Sequence, residues 1–414
     1  MPQSWTAHCE STVPGASIGT GNGIQVAIRR GIGSLRQNAW EAMVTPDNFF
    51  HGYAWLLSLE KVLGRQRVIT AGHGGTLLGG LPVWDTEHGR SGLFRLPDLF
   101  PGLPGPWTES FLWLGAYRSA RNGLDVCLGP GRDLILTGLL GAAADLARDE
   151  GMAGVIMPYM PRAYAEELSA AHIDARVLMH SAEASIDVPA GGYAEILQRL
   201  DGRHRRKFRA ELRRFHRAGT TIEWLPLSES LDEPIATLIT MNRTKYGSHE
   251  NVGWMRAVLR AQRESGVLKC AVAGICRRDS RLVGVLLGYG RGRHFYARYA
   301  GFDDTVPDPA FEYFVLIYYA AIDYAATRGF RVYHLSTSAL EAKVRRGARL
   351  NPLAAVVVRV RGEPPEEKFA DAHNARFLEA YRRDYGSRPC ALNDEWDDLP
   401  RHGPPVLPPS PGGS

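Results

Sequence analysis

The stretch from His294 to Gly347, HFYARYAGFDDTVPDPAFEYFVLIYYAAIDYAATRGFRVYHLSTSALEAKVRRG, gathers the side chains of this chain best suited to polar chemistry. Glu341-x-Lys343 and Arg346-Gly347 follow a short apolar run, Phe330–Leu335, and the polar Ser336-Thr337-Ser338. That order sets one ammonium and one guanidinium in a polar turn at the carboxyl end of a strand, where α/β sheets commonly build their sites. In a chain with 43 arginines and six lysines, a retained lysine supplies a compact point charge that a guanidinium does not. Arg346 suits a phosphate or carboxylate. His334 is the histidine placed for general-base work. Glu312 stands near a helix N-terminus, where the dipole favours its charge, and either caps that helix or faces a cleft and binds or deprotonates an amine. Tyr296 and Arg298 alternate on one strand face and line the same cleft, with Glu341 beside them. Each has a plainer reading: Lys343 as a surface turn residue, His334 and Tyr296 as core, Glu312 as a cap.

The elements that position these groups read as strand, loop, long helix and strand. His294–Tyr299 is β-rich, and the loop after it carries Asp303, Asp304, Pro307 and Pro309. From Phe311 to Arg328 apolar and aromatic residues recur at helical spacing, and Gly329 sits where a helix end takes a left-handed residue.

The Tyr-x-Arg-Tyr-x-Gly run at Tyr296–Gly301, the Phe311-Glu312 opening of a Tyr-rich helix, and Glu341-x-Lys343 before Arg346-Gly347 resemble the catalytic half of the Fem-type, GNAT-like transferases. Asn48-Phe49-Phe50 leading to Trp55 and Leu59-Glu60 is similar to the entry helix of that family's first domain, so the likeness spans most of residues 24 to 362. The resemblance implies an α/β protein with mixed sheets and two tandem GNAT-like domains. It also implies an amide-forming acyl- or aminoacyltransferase in which Lys343 approaches the reacting carbonyl, with Glu312 and His334 as further catalytic candidates.

In ordinary GNAT enzymes a glycine-rich turn before the long helix holds the pyrophosphate of coenzyme A on backbone amides. Here that place reads GFDDTVPDPAFE, with two aspartates and no such glycines. In the first half the equivalent LGPGRDLILTG offers only Gly129, Gly131 and Arg132. No cofactor is therefore expected, acyl-CoA being the alternative donor, and the preferred donor is an aminoacyl-tRNA. The five cysteines (Cys9, Cys127, Cys270, Cys276, Cys390) are scattered, which supports neither a disulfide framework nor a metal site.

The net charge of +5 is concentrated. Arg199–Arg217, RLDGRHRRKFRAELRRFHR, carries +7 and leaves the rest at −2. Leu200, Phe208, Leu212 and Phe215 share one helical face, so the segment reads as an amphipathic helix with a dense cationic side. That side is either a solvated face or a polyanion site; in the second case Arg203, Arg205, Arg206, Lys207, Arg209 and Arg213 bind the phosphates of a tRNA or of a nucleotide-linked substrate. Fem-type proteins often carry such a helix at the start of their second domain.

Composition and length suggest two domains. The expected division is an N-terminal tail over 1–23, a first domain over 24–188, a second, catalytic domain over 189–362, a C-terminal helix and extension over 363–400, and a Pro-rich tail over 401–414. The same order of elements in both halves suggests duplication of one α/β unit. Leu93–Pro106 reads as a Pro/Gly-rich loop lining a cleft, and Phe369, His373, Phe377 and Tyr381 as an apolar row on a helix from Pro364. No apolar run approaches the ~20 residues of a membrane span, and the first residues lack a signal-peptide pattern, so a cytoplasmic enzyme without integral membrane association is expected. The expected reaction moves an aminoacyl group from tRNA to an amine acceptor, a small metabolite or a cell-wall precursor. The alternatives are an N-acyltransferase using acyl-CoA or an acyl carrier protein, and a binding module for a glycan or nucleotide-linked ligand.

Overall fold

A computed structural model describes residues 23–64, 66–85, 94–362 and 366–396, together with a two-residue strand at the N-terminal side. The first half runs β1 (Ile18–Gly19), β2 (Gln25–Arg30), α1 (Gln37–Glu41), α2 (Tyr53–Leu63), β3 (Gln66–His73), β4 (Thr76–Asp85), α3 (Leu96–Leu99), β5 (Phe111–Leu114), β6 (Asp125–Val126), α4 (Arg132–Asp149), β7 (Gly154–Pro161), α5 (Arg162–Ser169) and β8 (Ala175–Asp187). The second runs α6 (Gly192–Arg199), α7 (Gly202–Arg217), β9 (Thr220–Leu225), α8 (Asp232–Lys245), α9 (Val252–Ser265), β10 (Ala271–Arg278), β11 (Arg281–Arg291) and β12 (His294–Phe302). It continues through α10 (Glu312–Phe314), α11 (Ala321–Thr327), β13 (Val332–His334), α12 (Leu340–Val344), β14 (Arg349–Arg359) and α13 (Glu367–Tyr385).

Local chemistry sets several of these boundaries. The two-residue turn between His73 and Thr76 is Gly74-Gly75, both at positive φ, which suits the right-handed twist of the β3–β4 hairpin. Asp201 caps α7 by accepting from the amides of Arg203 (2.9 Å) and His204 (3.0 Å).

One sheet runs through both halves in the order β1-β2-β3-β4-β5-β7-β14-β8-β13-β12-β11-β10-β9, with β6 against β4. Each half is a run of antiparallel strands closed by one parallel pair, β5 with β7 and β12 with β13, bridged by helix. This is the tandem GNAT-like architecture, and its final strands are exchanged. The last strand of the first half, β8, pairs with β13 of the second, while β14 of the second lies between β7 and β8. The β12–β13 register ends at Tyr296 opposite His334, so the two strands part beyond that point.

Several expectations need correction. The sequence assigns nothing to 348–361, yet β14 is central there and buried along most of its length. Pro352 inside it disguises the strand, because proline donates nothing to a ladder. The entry helix expected from Asn48-Phe49-Phe50 through Leu59-Glu60 breaks at Gly52 into a 3-10 turn, Phe49–His51, and α2. The described part of the Leu93–Pro106 loop lines neither of the two cavities beside α7. It folds as α3 and buries Leu96, Leu99, Phe100 and Leu103 against Trp107 and Trp113. In α13, His373 is buried and Phe377 packs with Tyr381 and Trp396, but Phe369 is exposed. The long helix holds a π turn, Val315–Ala320, between α10 and α11. Nearly all of the 1–23 tail with Cys9, the 401–414 tail, Leu93 and Pro364 lie outside the described residues.

Candidate functional site

The basic helix and the Glu-x-Lys turn meet. A cavity of 540 Å³ lies between α7, the head of α10, α12 and the end of α13, lined by Lys207 and Glu211, by Phe311 and Phe314, by Leu340 and Glu341, and by Arg345, Arg346 and Tyr385. An adjoining cavity of 300 Å³ shares Lys207, Arg345 and Arg346 and adds Arg203, His204, Phe208 and Arg388. Of the six cationic residues singled out on the helix, Arg203 and Lys207 line these cavities, one turn apart on the same face. Arg205, Arg206, Arg209 and Arg213 do not. Arg345 and Arg388 complete the cationic wall; Arg345 adjoins a residue already singled out, whereas Arg388 is brought in from beyond α13 and carries no local signal.

Arg346 forms the floor. It is 3% exposed, lies 3.7 Å over the ring of Phe314, and donates to Glu211 of α7 at 3.4 Å. Glu211 in turn accepts from the hydroxyl of Tyr319. The π turn places Tyr318 and Tyr319 for this cluster, since its extra residue rotates both relative to an α-helix. The Nε of Arg346 is buried without a hydrogen-bond partner among the described residues, a donor that a bound anion would satisfy. Glu341 accepts from Arg345 (2.8 Å) and Arg388 (2.9 Å), which holds part of the cationic wall in place.

Lys343 is not presented by an open turn. It sits in α12 at 4% exposure, and its ammonium donates to the carbonyls of Leu335 and of Ser336 (3.3 Å) at the end of β13. Burial pushes its pKa down to about 7, against the pull of Glu183. The turn between β13 and α12 is strained, with Ser336 at φ 66 and Ala339 at φ 51, and such geometry concentrates at functional sites.

Side chains alternate along β13. Tyr333 points to the helices, donating to the carbonyl of Ile317 at 2.9 Å, and His334 points to the other face. There His334 Nδ1 meets Glu183 at 3.1 Å and Nε2 meets His294 at 2.9 Å. Both ring nitrogens are engaged at 5% exposure, so His334 cannot itself meet a substrate as a general base. Burial favours the neutral form of Glu183, but His334 and Arg121 (2.9 Å) outweigh it and hold the carboxyl at about 2. Sequence reading missed Glu183, Arg121 and His294, which only the exchanged strands bring together.

The remaining candidates are placed elsewhere. Glu312 is buried, pairs with Arg278 and accepts from the amide of Ala310 at 2.7 Å, so both oxygens are committed and neither lines the cavity. It ties the loop before the helix to Arg278 of β10 and is not free to bind an amine. Tyr296 donates to the carbonyl of Asp47. Arg298 donates to the carbonyl of Arg118 at 2.6 Å and lies 4.6 Å over Tyr299. Both join the halves and stand apart from the α7–α12 cavity. The loop at Asp303 and Asp304 is neutralised by Arg281 and Lys245. In the first half Arg132 is held by Glu167 and the carbonyl of Val126. Among the described residues no group of three or more His, Cys, Asp or Glu is placed to hold a metal ion, and no helix is long and apolar enough to cross a membrane.

The FemAB-like family model, described as peptidoglycan biosynthesis/recognition, matches residues 128–381. Among solved structures, FemX is 14% identical with a TM-score of 0.47, covering 73% of this chain and 90% of its own. A conserved protein of unknown function from Bacteroides thetaiotaomicron is 12% identical with a TM-score of 0.47, covering 78% and 92%. A tandem GNAT protein from the clavulanic acid biosynthesis pathway is 11% identical with a TM-score of 0.44, covering 82% and 99%. No curated protein matches the chain.

Proposed function

The chain belongs to the FemAB-like family and is an acyltransferase of that class, and we propose that it moves an aminoacyl group from aminoacyl-tRNA to an amine, forming an amide. The observation that carries the reading is the union of a cationic wall with aromatic surfaces across two adjoining cavities, which Ala342 and Arg346, flanking Lys343 in the chain, help to line. Arg203, Lys207, Arg345 and Arg388 suit phosphate oxygens, and Phe311, Phe314 and Tyr385 offer the flat apolar surface that a nucleobase stacks on.

An aminoacyl ester is already activated. The protein has to orient the amine, accept its proton and stabilise the tetrahedral oxyanion. The Lys343 ammonium, fixed by two carbonyls in a dry setting, is the group of this chain suited to the oxyanion, provided it is protonated. The acceptor consistent with the family is a cell-wall precursor; a small biosynthetic amine remains the second candidate.

The test is incubation of the full chain with charged tRNA and candidate amines, following amide formation with and without prior RNase digestion. Transfer that needs intact tRNA is the expected result. Transfer that persists after digestion, or that requires acyl-CoA, overturns the donor assignment.

A further inference from the structure

The hydrogen bonds on the His334 face have a direction. Glu183, on β8 and 1% exposed, is ionised and can only accept. His334 Nδ1 therefore carries the proton between them, and its Nε2 is left as the acceptor. His294 Nδ1, 2.9 Å away, must donate to it, which leaves the lone pair of His294 on Nε2. His294 is half-buried, and that nitrogen has no hydrogen-bond partner among the described residues. The ring of Tyr296 stacks on His334 at 4.4 Å and 4°, fixing its plane. The other charged groups acting here are Asp47, in the loop before the 3-10 turn, Arg121, committed to Glu183, and Lys343, felt through Glu183.

We propose that Glu183, His334 and His294 form a proton relay across the junction of the two halves, and that His294 Nε2 takes the proton from the attacking amine. This rests on the transfer reading given above, with the amine approaching from the His334 face of the sheet and the ester reaching it from the α7–α12 cavity where β12 and β13 part. As the amine nitrogen bonds to the ester carbonyl carbon, its proton passes to His294 Nε2. The Nδ1 proton of His294 moves to His334 Nε2, leaving an imidazolium against the Glu183 carboxylate. When the ester C–O bond breaks, the reverse movement delivers a proton to the departing oxygen and restores the relay. His294 is the catalytic residue; His334 and Glu183 are positioning residues, and Asp47 supplies a negative charge beside the incoming amine.

Imidazole ¹⁵N spectra of the histidine-labelled full chain, assigned with His294→Gln and His334→Gln, read the hydrogen pattern without any substrate. The expected result is protonated Nδ1 and unprotonated Nε2 on both rings at neutral pH; a proton on His294 Nε2, or a bare His334 Nδ1, overturns the relay. In the transfer assay His294→Ala should lower kcat by about 10²–10⁴-fold with KM for charged tRNA unchanged, and added imidazole should restore part of it. Glu183→Gln should move the acid limb of kcat/KM to lower pH, because the carboxylate favours the His294 imidazolium. Wild-type kcat and pH profile in His294→Ala overturn the amine step. Absence of any aminoacyl transfer by the wild type overturns the functional reading and the amine step with it, while the spectra still decide the relay.

Discussion

The hydroxyl of Tyr296 donates to the main-chain carbonyl of Asp47, across a sequence separation of 249 residues. One bond thus ties β12 of the second half to the loop that enters α2 of the first, and the same ring stacks on His334. Tyr296→Phe keeps the stack and removes the bond. The expected loss is about 1 kcal/mol in chemical denaturation, with a larger effect on kcat than on charged-tRNA affinity. A variant that lost affinity alone would place Tyr296 at the donor site instead.

Lys343→Met should lower transfer by roughly 10²–10³-fold, the scale of removing an oxyanion donor. In the wild type, kcat/KM should fall on the alkaline side with a limb near pH 7, as the buried ammonium loses its proton.

The same lysine makes a stability prediction whose sign is fixed by linkage. Its folded pKa, about 7, lies below the ordinary 10.5, so between those values the unfolded chain binds the extra proton. Wild-type stability relative to Lys343→Met should therefore rise as pH goes from 7 to 10, and be flat below 7. Denaturant midpoints at pH 6, 8 and 10 check this; a wild-type stability that falls relative to Lys343→Met between pH 7 and 10 contradicts the buried ammonium.

The two sides of α7 should behave differently. Arg203→Ala with Lys207→Ala, facing the cavities, should weaken donor binding and reduce the slope of log K against log salt by about 1–2. Arg209→Ala with Arg213→Ala should leave both nearly unchanged. Equal effects from the two pairs, measured by filter binding over a salt series, would mean that the whole cationic face is used.

Arg346→Met leaves Glu211 buried with only Tyr319 beside it, and should cost about 3–5 kcal/mol. Adding Glu211→Gln should recover much of that loss, since the uncompensated charge is then gone. Urea titration of the single and double variants reads the difference.

Most elements were legible because their patterns are local: the amphipathic spacing of Phe208, Leu212 and Phe215, the β-rich run His294–Tyr299, the glycine ending the long helix. Lys207, Glu341 and Arg346 line one cavity, a meeting of the basic helix with the Glu-x-Lys turn that neither local pattern spells out. What was not legible depends on partners far along the chain. His334 reads as a free base until Glu183 and His294 occupy its two nitrogens. Glu312 reads as a cleft acid until Arg278 and the Ala310 amide take its oxygens. The run LAAVVVR in β14 is the near-continuous apolar pattern of a strand buried on both faces, a signal present in the sequence and masked by Pro352.

The exchanged strands govern how the molecule can be made. While only the first half has left the ribosome, the edges of β7 and β8 stand open, because the strand that fills the gap lies near the other end of the chain. Gly154 can pair with Phe111 of β5 at once, but its other edge is filled only once Arg359 has emerged. During that interval the nascent chain offers unpaired strand edges, a template for aggregation, and its closure is a late, long-range event of the slow-folding kind. Separate expression of either half should therefore yield insoluble protein, and co-expression of the two pieces should rescue both.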